Sequence, residues 1–182
     1  MSKAEILTTP KGENYLRRLF MDGEPVSSLV VVPCPIRLLG VEVSHAGIGG
    51  VNTEPEHRLK GYMARLMADT VNYMTRQGYA VSLLWGIPDF YNKFGFMPVM
   101  GDPKTSVATR DAQRAQPGPF TIREMREQDA GFVVELYNRR NRNRAASVVR
   151  DSANFSHFVR GSRWDSTARG VICEDEQSRP VG

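Results

Sequence analysis

The sequence has little cysteine and little histidine, and it holds no long apolar run. Cys34 and Cys173 are its two cysteines, too few for a disulfide framework, and a reducing, cytoplasmic setting suits them. The three histidines, His45, His57 and His157, are scattered, with no second His or Cys at ligand spacing. That pattern argues against a metal site. The longest apolar stretch, around Ser28 to Val32, is far too short to cross a bilayer, so no membrane role is expected. The first ten residues lack the apolar centre of a secretory signal. Tandem repeats and low-complexity tracts are missing as well. What is present is an ordinary globular mixture. Hydrophobic residues make up 41% of the chain, enough to build a core and to exclude wholesale disorder. A length of 182 residues allows one domain, or one domain and a piece of another.

Charge is unevenly placed. Residues 1–101 are nearly neutral, with ten Lys and Arg against nine Asp and Glu, whereas residues 102–169 carry thirteen against eight. Arg139, Arg140, Arg142, Arg144 and Arg150 supply most of the excess. The net charge of +4 is therefore a local property and does not describe the whole chain as a nucleic-acid binder.

Hydropathy patterning gives the order of elements. Residues 14–21 read as a strand with charges tolerated on one side. Asp22-Gly23-Glu24-Pro25 is a turn signal. Val26 to Leu39 is a second strand-like run that Pro33 and Pro35 interrupt. Val41 to Thr53 is a third, with Gly47, Gly49 and Gly50 marking a bulge or a close approach. Three such runs on short turns imply an antiparallel start to a sheet. From Gly61 to Gln77 the period changes: Met63, Leu66, Met67, Val71 and Met74 share one helical face, and Gly78 ends it. Ala80 to Trp85 reads as a short buried strand, and strand–helix–strand at this length implies a right-handed crossover and a parallel pair. Pro88 and Asp89 are expected to open a short helix that Gly95 closes, with extended chain over Phe96 to Val99. Residues 101–119 are a linker by composition. Phe120 begins a fresh strand, Asp129 to Asn138 reads as a helix, and the stretch to Gly182 completes no recognisable unit.

Two segments carry possible chemistry. Gly50 to Met63 is a strand end, a basic loop and a helix start. Unpaired N–H groups and the positive end of a helix make an anion site suited to phosphate. Gly61 removes a Cβ there, and Arg58 and Lys60 add charge. The plainer reading is an ordinary strand–loop–helix with a basic surface. In the second segment, Trp85 to Phe96, Tyr91 follows the parallel strand. Its hydroxyl can give a proton to a leaving group at the sheet's centre, or it can simply pack like Phe90, Phe94 and Phe96.

Together, Arg58-x-x-Gly61 opening a helix and Phe90-Tyr-Asn-Lys-Phe-Gly-Phe96 after the next strand resemble the GNAT superfamily of acyl-CoA-dependent N-acetyltransferases. The strings Gly49-Gly-Val-Asn-Thr-Glu-Pro-Glu-His-Arg58 and Leu83-Leu-Trp-Gly-Ile-Pro-Asp-Phe-Tyr91 resemble its Eis-like (enhanced intracellular survival) branch. The likeness is close over residues 14–100. It is weaker from Phe120 onward, where Ile122-Arg-Glu124 and Leu136-Tyr-Asn-Arg139 look like the opening of a second such domain. The resemblance implies an α/β fold with a mixed sheet, antiparallel and then parallel across one crossover, with helices on its faces. It implies an acetyl-CoA-binding domain over residues 1–100, a linker over 101–119 and the start of a second domain over 120–182. By match, Val51, Asn52 and Thr53 lie on the splayed strand that pairs with the pantetheine arm. Arg58, Leu59, Lys60, Gly61, Tyr62 and Met63 hold the pyrophosphate of acetyl-CoA, and Tyr91 is the general acid toward the coenzyme A thiolate. No metal is implied. A small-molecule or peptide amine attacks the thioester directly, so holding two reactants together supplies most of the rate.

The pattern has departures. Most family loops carry Gly or Ala where Met63 stands, although the Eis-like branch has a larger residue there, and many carry a basic residue where Leu59 stands. The family's first strand and the two helices after it are expected before residue 14, where about a dozen polar residues stand. The second domain stops near Arg179. The sterol-carrier-like domain of Eis-like enzymes, whose terminal carboxylate acts as base, does not follow. The chain therefore reads as an internal piece of a longer enzyme.

Other residues fit plainer roles. Glu54 and Glu56 can act as a base through water or sit solvated in the loop. Cys34 suits a small buried position, and Trp85 either lines a pocket or packs. Arg139 to Arg144 can bind phosphates, but interleaved stacking aromatics are missing and a solvated helix end explains the run. An N-acetyltransferase, a non-catalytic coenzyme A-binding fragment and a basic nucleic-acid-binding module thus stand as alternatives, with homo-oligomerisation expected from exposed apolar surface.

Overall fold

Turn chemistry sets the first sheet. The computed structural model describes residues 3–87, 89–99, 101, 106–115, 118–151 and 170–182. Strands β1 (Ala4–Lys11) and β2 (Asn14–Met21) are joined by a two-residue turn at Gly12, and β2 and β3 (Glu24–Pro33) by another at Asp22-Gly23. Asp22 and Gly23 both have positive φ, 52° and 92°, as the tight hairpin turn that matches strand twist requires. The register follows: Met21 faces Glu24, and Ala4 faces Met21. The chain bends at Pro33, Cys34 and Pro35 and continues as β4 (Ile36–Leu38), β5 (Val41–Val43) and β6 (Ala46–Thr53). The main sheet has the order β1-β2-β3-β6, antiparallel throughout.

Helix α1 (Tyr62–Arg76) covers one face of this sheet. Its buried residues Leu66, Met67, Thr70 and Met74 lie at helical spacing. Leu66, Met67 and Met74 meet Leu19, Leu29, Val31, Ala46 and Ile48 in one core, each full burial of a large apolar side chain contributing about 1.5–3 kcal/mol. Gly78, at φ 79°, ends the helix. The Gly78 N–H donates to Thr75 O at 3.0 Å and the Tyr79 N–H to Met74 O at 3.2 Å, the two bonds of a glycine-terminated helix end. Further along, α2 (Thr109–Arg114), β7 (Thr121–Glu124), α3 (Ala130–Asn141), β8 (Ser147–Val148) and β9 (Val171–Glu174) follow.

The chain divides into two compact units. The first is Met1–Val99 with Arg144–Val148, because β8 pairs with β4. The second is Met100–Asn143 with Val149–Gly182. In the second unit β7 and β9 are antiparallel. Arg123 of β7 donates to both Asp129 oxygens at 2.7 and 2.8 Å and to Glu174 Oε1 at 2.7 Å, tying both strands to the start of α3.

Several expectations are corrected. The residues before Asn14 form β1 rather than a polar lead-in, because Ala4 and Ile6 pack on the core while the outer residues of this edge strand stay wet. A turn, and no helix, joins β1 to β2. The tolerated charge of β2 is not all on the solvent side. Arg17 is 2% exposed and lies beneath α1. It donates to Thr70 Oγ1 at 3.1 Å and Thr8 Oγ1 at 3.0 Å, pairs with Asp69, and stacks on the Tyr73 ring at 4.3 Å. Ala80 to Trp85 is not a regular buried strand. It holds one parallel bridge, His45 to Val81, and Trp85 is exposed. The short helix expected from Pro88 and Asp89 is a single 3₁₀ turn over Asn92–Phe94, and Asp89 stands before it at φ 61°. Pro88 itself lies outside the described residues, as do His157 and the linker prolines Pro103 and Pro117. The linker contains α2, exposed along its length and without an apolar face. Helix α3 starts one residue later than expected and runs to Asn141, which puts Arg139 and Arg140 in its last turn, where positive charge is favourable.

Candidate functional site

The first unit contains a fork in its sheet. On one edge, β6 pairs with β3 as far as Thr53. On the other it meets residues 80–83 running parallel. The Ala80 and Val81 N–H groups donate to Ser44 O, Ala46 N–H donates to Val81 O at 3.2 Å, and Ile48 N–H donates to Leu83 O at 3.2 Å. That bond is the last one, so from Gly49 to Thr53 this edge of β6 has no backbone partner among the described residues. The β6–β3 register also slips here. Val30 faces Gly49 and Ser28 faces Asn52, so Gly50 and Val51 share one place opposite Leu29. Gly50 has φ 57°, the left-handed conformation a bulge of this kind uses and only glycine adopts freely. Within the bulge Val51 packs on the core. The Asn52 side chain donates to Glu54 Oε1 at 3.1 Å, and the Thr53 hydroxyl meets Ser27 Oγ at 2.9 Å.

The chain then turns into α1. Pro55–His57 makes one 3₁₀ turn, and Arg58 follows in extended conformation with its Nε donating to Thr53 O at 3.1 Å. Leu59 has φ 61° and its side chain lies fully in solvent. Gly61, at φ 79°, is the N-cap of α1, so the backbone conformation itself calls for glycine, and open space lies where a Cβ would stand. No side chain caps this helix, and its first turn holds no acid. Its leading N–H groups and positive dipole end are therefore uncompensated, which is what an anion requires. Lys60 is exposed beside them, and Tyr62 and Met63 rest on the core. His57 faces the Tyr62 ring at 6.1 Å, with its Nδ1 buried and without a partner among the described residues.

Tyr91 stands just before the Asn92–Phe94 turn. Its ring meets Phe90 edge-on at 4.9 Å and Phe96 at 6.2 Å, and a Cβ at Gly86 would run into its Cδ2 and Cε2 atoms. Its carbonyl accepts the Phe94 N–H at 2.9 Å, which fixes the backbone. Among the described residues the hydroxyl has no hydrogen-bond partner. Burial pushes the Tyr91 phenol up from its ordinary value, so it stays protonated at neutral pH. Tyr91, Val51, Tyr62 and Met63 all pack against the same core, and the turn after Tyr91 is in contact with α1. Glu54 and Glu56 are exposed loop residues. Among the described residues no cluster of three or more His, Cys, Asp or Glu could hold a metal ion, and no helix is long and apolar enough to cross a membrane.

Sequence reasoning passed over three residues that shape this site. Arg17 falls among the charges tolerated on one side of a strand. Gly86 stands in the string Leu83 to Tyr91 with no role of its own. His45 reads as a lone mid-strand histidine, yet both of its ring nitrogens are engaged where the fork begins.

The acetyltransferase (GNAT) domain matches residues 9–99, half of the chain. The chain belongs to that family. Solved structures agree on the fold. A probable N-acyltransferase from Enterococcus faecalis superposes with a TM-score of 0.76 at 16% identity, over 99% of this chain and 54% of that one. A GCN5-related N-acetyltransferase from Anabaena variabilis gives 0.63 at 16% identity, over 91% and 42%. Eis1 from Mycobacterium abscessus gives 0.57 at 16% identity, over 78% and 37%. This GNAT chain thus spans about half the length of the first of these structures and less of the other two. No curated protein sequence matches it.

Proposed function

We propose that this GNAT chain binds acetyl-CoA and acetylates a primary amine, on a small molecule or a peptide, with Tyr91 as general acid. The observation that carries the reading is the fork in the sheet, opening beside an uncapped, acid-free helix start with a protonated phenol on the same core. The free edge of β6 at Val51, Asn52 and Thr53 offers backbone donors and acceptors to the amides of a pantetheine arm. The amides of Arg58, Leu59, Lys60, Gly61, Tyr62 and Met63, with the Lys60 charge, suit a pyrophosphate. Bound acetyl-CoA supplies the acetyl group as a thioester, open to direct attack by the amine. Tyr91 holds its proton at neutral pH and releases it where negative charge develops on the departing sulfur. We place the chain in the Eis-like branch on its residue strings, and we read the segment from Phe120 as the opening of a second GNAT-like domain. Coverage of nearly the whole chain by the Enterococcus structure supports that division.

Titration of the purified chain with acetyl-CoA, with release of free thiol followed against a panel of amines, tests this. Saturable binding with amine-dependent thiol release is expected. Binding without release from any amine would leave a coenzyme-binding module. A folded chain that does not bind would remove the coenzyme reading.

A further inference from the structure

The parallel pairing between β6 and residues 80–83 ends in a substitution of side chains for backbone. In a continuing parallel ladder the Leu83 N–H would donate to the Ala46 carbonyl. Instead it donates to Nε2 of His45 at 3.2 Å, and the Ala46 carbonyl accepts the Ser82 hydroxyl at 2.8 Å. Because Nε2 accepts, Nδ1 carries the proton. It donates to the Cys34 carbonyl at 3.0 Å, with Cys34 Sγ 3.3 Å away. One neutral ring therefore joins the end of β3, the start of β6 and the segment after α1. Since His45 is only 6% exposed, bulk water does not compete for these bonds. A Cβ at Gly47 would make ordinary contact with the Leu83 carbonyl at 3.5 Å, so the two chains already lie close here.

We propose that His45 is a positioning residue for the coenzyme cleft, whose neutral imidazole sets the point at which β6 and residues 80–83 part. In doing so it fixes which residues of β6 are left free for the pantetheine arm. The inference rests on the coenzyme reading above. An imidazolium cannot serve. Its Nε2 proton would face the Leu83 N–H, donor against donor. The Cys34 thiol, just after β3, lies against the ring, and the Tyr79 phenol, from the turn after α1, lines the same cleft. With Pro33, Pro35 and Ser44 they line this cleft of about 310 Å³. Among the described residues no carboxylate or cation lines it, so none of them supports a positive ring. Burial lowers the His45 pKa, and the bond to the Cys34 carbonyl offsets only part of that. The neutral ring is thus the folded form at neutral pH. Its stabilising effect is full above the unfolded value of about 6.5 and is lost as pH falls through the lower folded value.

The test is calorimetric titration of the full chain with acetyl-CoA at about pH 7.5 and about pH 5, with exchange of the Leu83 amide proton followed by NMR. Wild type, His45→Gln and His45→Leu are compared. Wild type is expected to bind more weakly at the lower pH, to the extent that this pH lies below the lowered folded value of His45, with loss of Leu83 amide protection. A glutamine carboxamide accepts from Leu83 and donates to Cys34 without titrating, so His45→Gln should keep wild-type affinity and lose most of the pH dependence. Titration of the coenzyme's own phosphates is common to all variants and is subtracted by this comparison. His45→Leu should bind roughly tenfold more weakly at both pH values. Equal affinity of His45→Leu and wild type at the higher pH, or a pH dependence unchanged in His45→Gln, overturns the inference. If His45→Leu does not fold, the Gln profile and Leu83 exchange decide it. Failure of folded wild type to bind at the higher pH removes the coenzyme reading instead, and a Leu83 amide that is unprotected there overturns the His45 inference by itself.

Discussion

Gly86→Ala is a one-methyl change aimed at the orientation of Tyr91. A Cβ at Gly86 would stand 2.6 Å from Cδ2 of Tyr91, closer still to Cε2, and 3.0 Å from Cδ1 of Leu84. Carbon atoms in contact prefer about 3.5–4.0 Å, so the ring has to move by an ångström or more. It is not free to do so cheaply, because Phe90 and Phe96 hold it on other sides at 4.9 and 6.2 Å. Overpacking of this kind typically costs about 1–3 kcal/mol, which in a chain of this size lowers the melting temperature by roughly 2–4 °C per kcal/mol. If Tyr91 is the proton donor, its displacement should also reduce kcat by about tenfold or more, while acetyl-CoA affinity, set at the fork and the helix start, stays close to wild type. Thermal melts, calorimetry and steady-state kinetics read these three quantities separately. The control is the same change in a Tyr91→Ala background, where the methyl meets no ring and the stability loss should largely vanish. A Gly86→Ala variant with wild-type melting temperature and wild-type kcat would refute both the packing argument and the role given to the ring's orientation.

Other changes probe neighbouring claims. Tyr91→Phe keeps the packing and removes the proton, so it should lower turnover while leaving acetyl-CoA affinity nearly unchanged; equal loss in both would sink the proton-donor role. Gly61→Val places a branched residue at φ 79°, a strain of about 1–2 kcal/mol. It should weaken coenzyme binding by disturbing the helix start, and normal binding by a folded variant would show the phosphate loop to be misplaced. In the second unit, the hydrogen bonds from Arg123 hold the Asp129 carboxyl down at about 2. That depressed value contributes stability above the ordinary carboxylate range, lost as pH falls from about 4 through about 2. Asp129→Asn should flatten the acid limb of unfolding followed by a probe on α3, and an unchanged limb would contradict the assignment.

Local turn chemistry and helical period made much of the first unit legible. Asp22-Gly23 announces its hairpin because two successive left-handed residues are rare outside such turns. Met63, Leu66, Met67 and Met74 announce α1, and Gly78 its end. Thr70 and Arg17 stay hidden because polar residues are read as wet, whereas the Arg17 guanidinium is satisfied from two elements at once, β1 and α1. The segment 80–85 has strand composition but not a strand's bonds. Its ladder depends on a histidine side chain thirty-eight positions earlier, a dependence no local window contains. Gly86 illustrates the same limit, since the need for a missing Cβ arises only once Tyr91 folds back over it. Helix α2 shows the reverse, a short solvated helix where composition alone suggests a linker.

The location of the coenzyme site is the central claim, and backbone amide NMR during titration with acetyl-CoA tests it most directly. Shifts are expected at Gly50 to Thr53 along the free edge of β6, at Leu59 to Ala64 around the start of α1, and at Tyr91, with the second unit unmoved. Saturable shifts confined to other parts of the chain, or none in a folded sample, would contradict it.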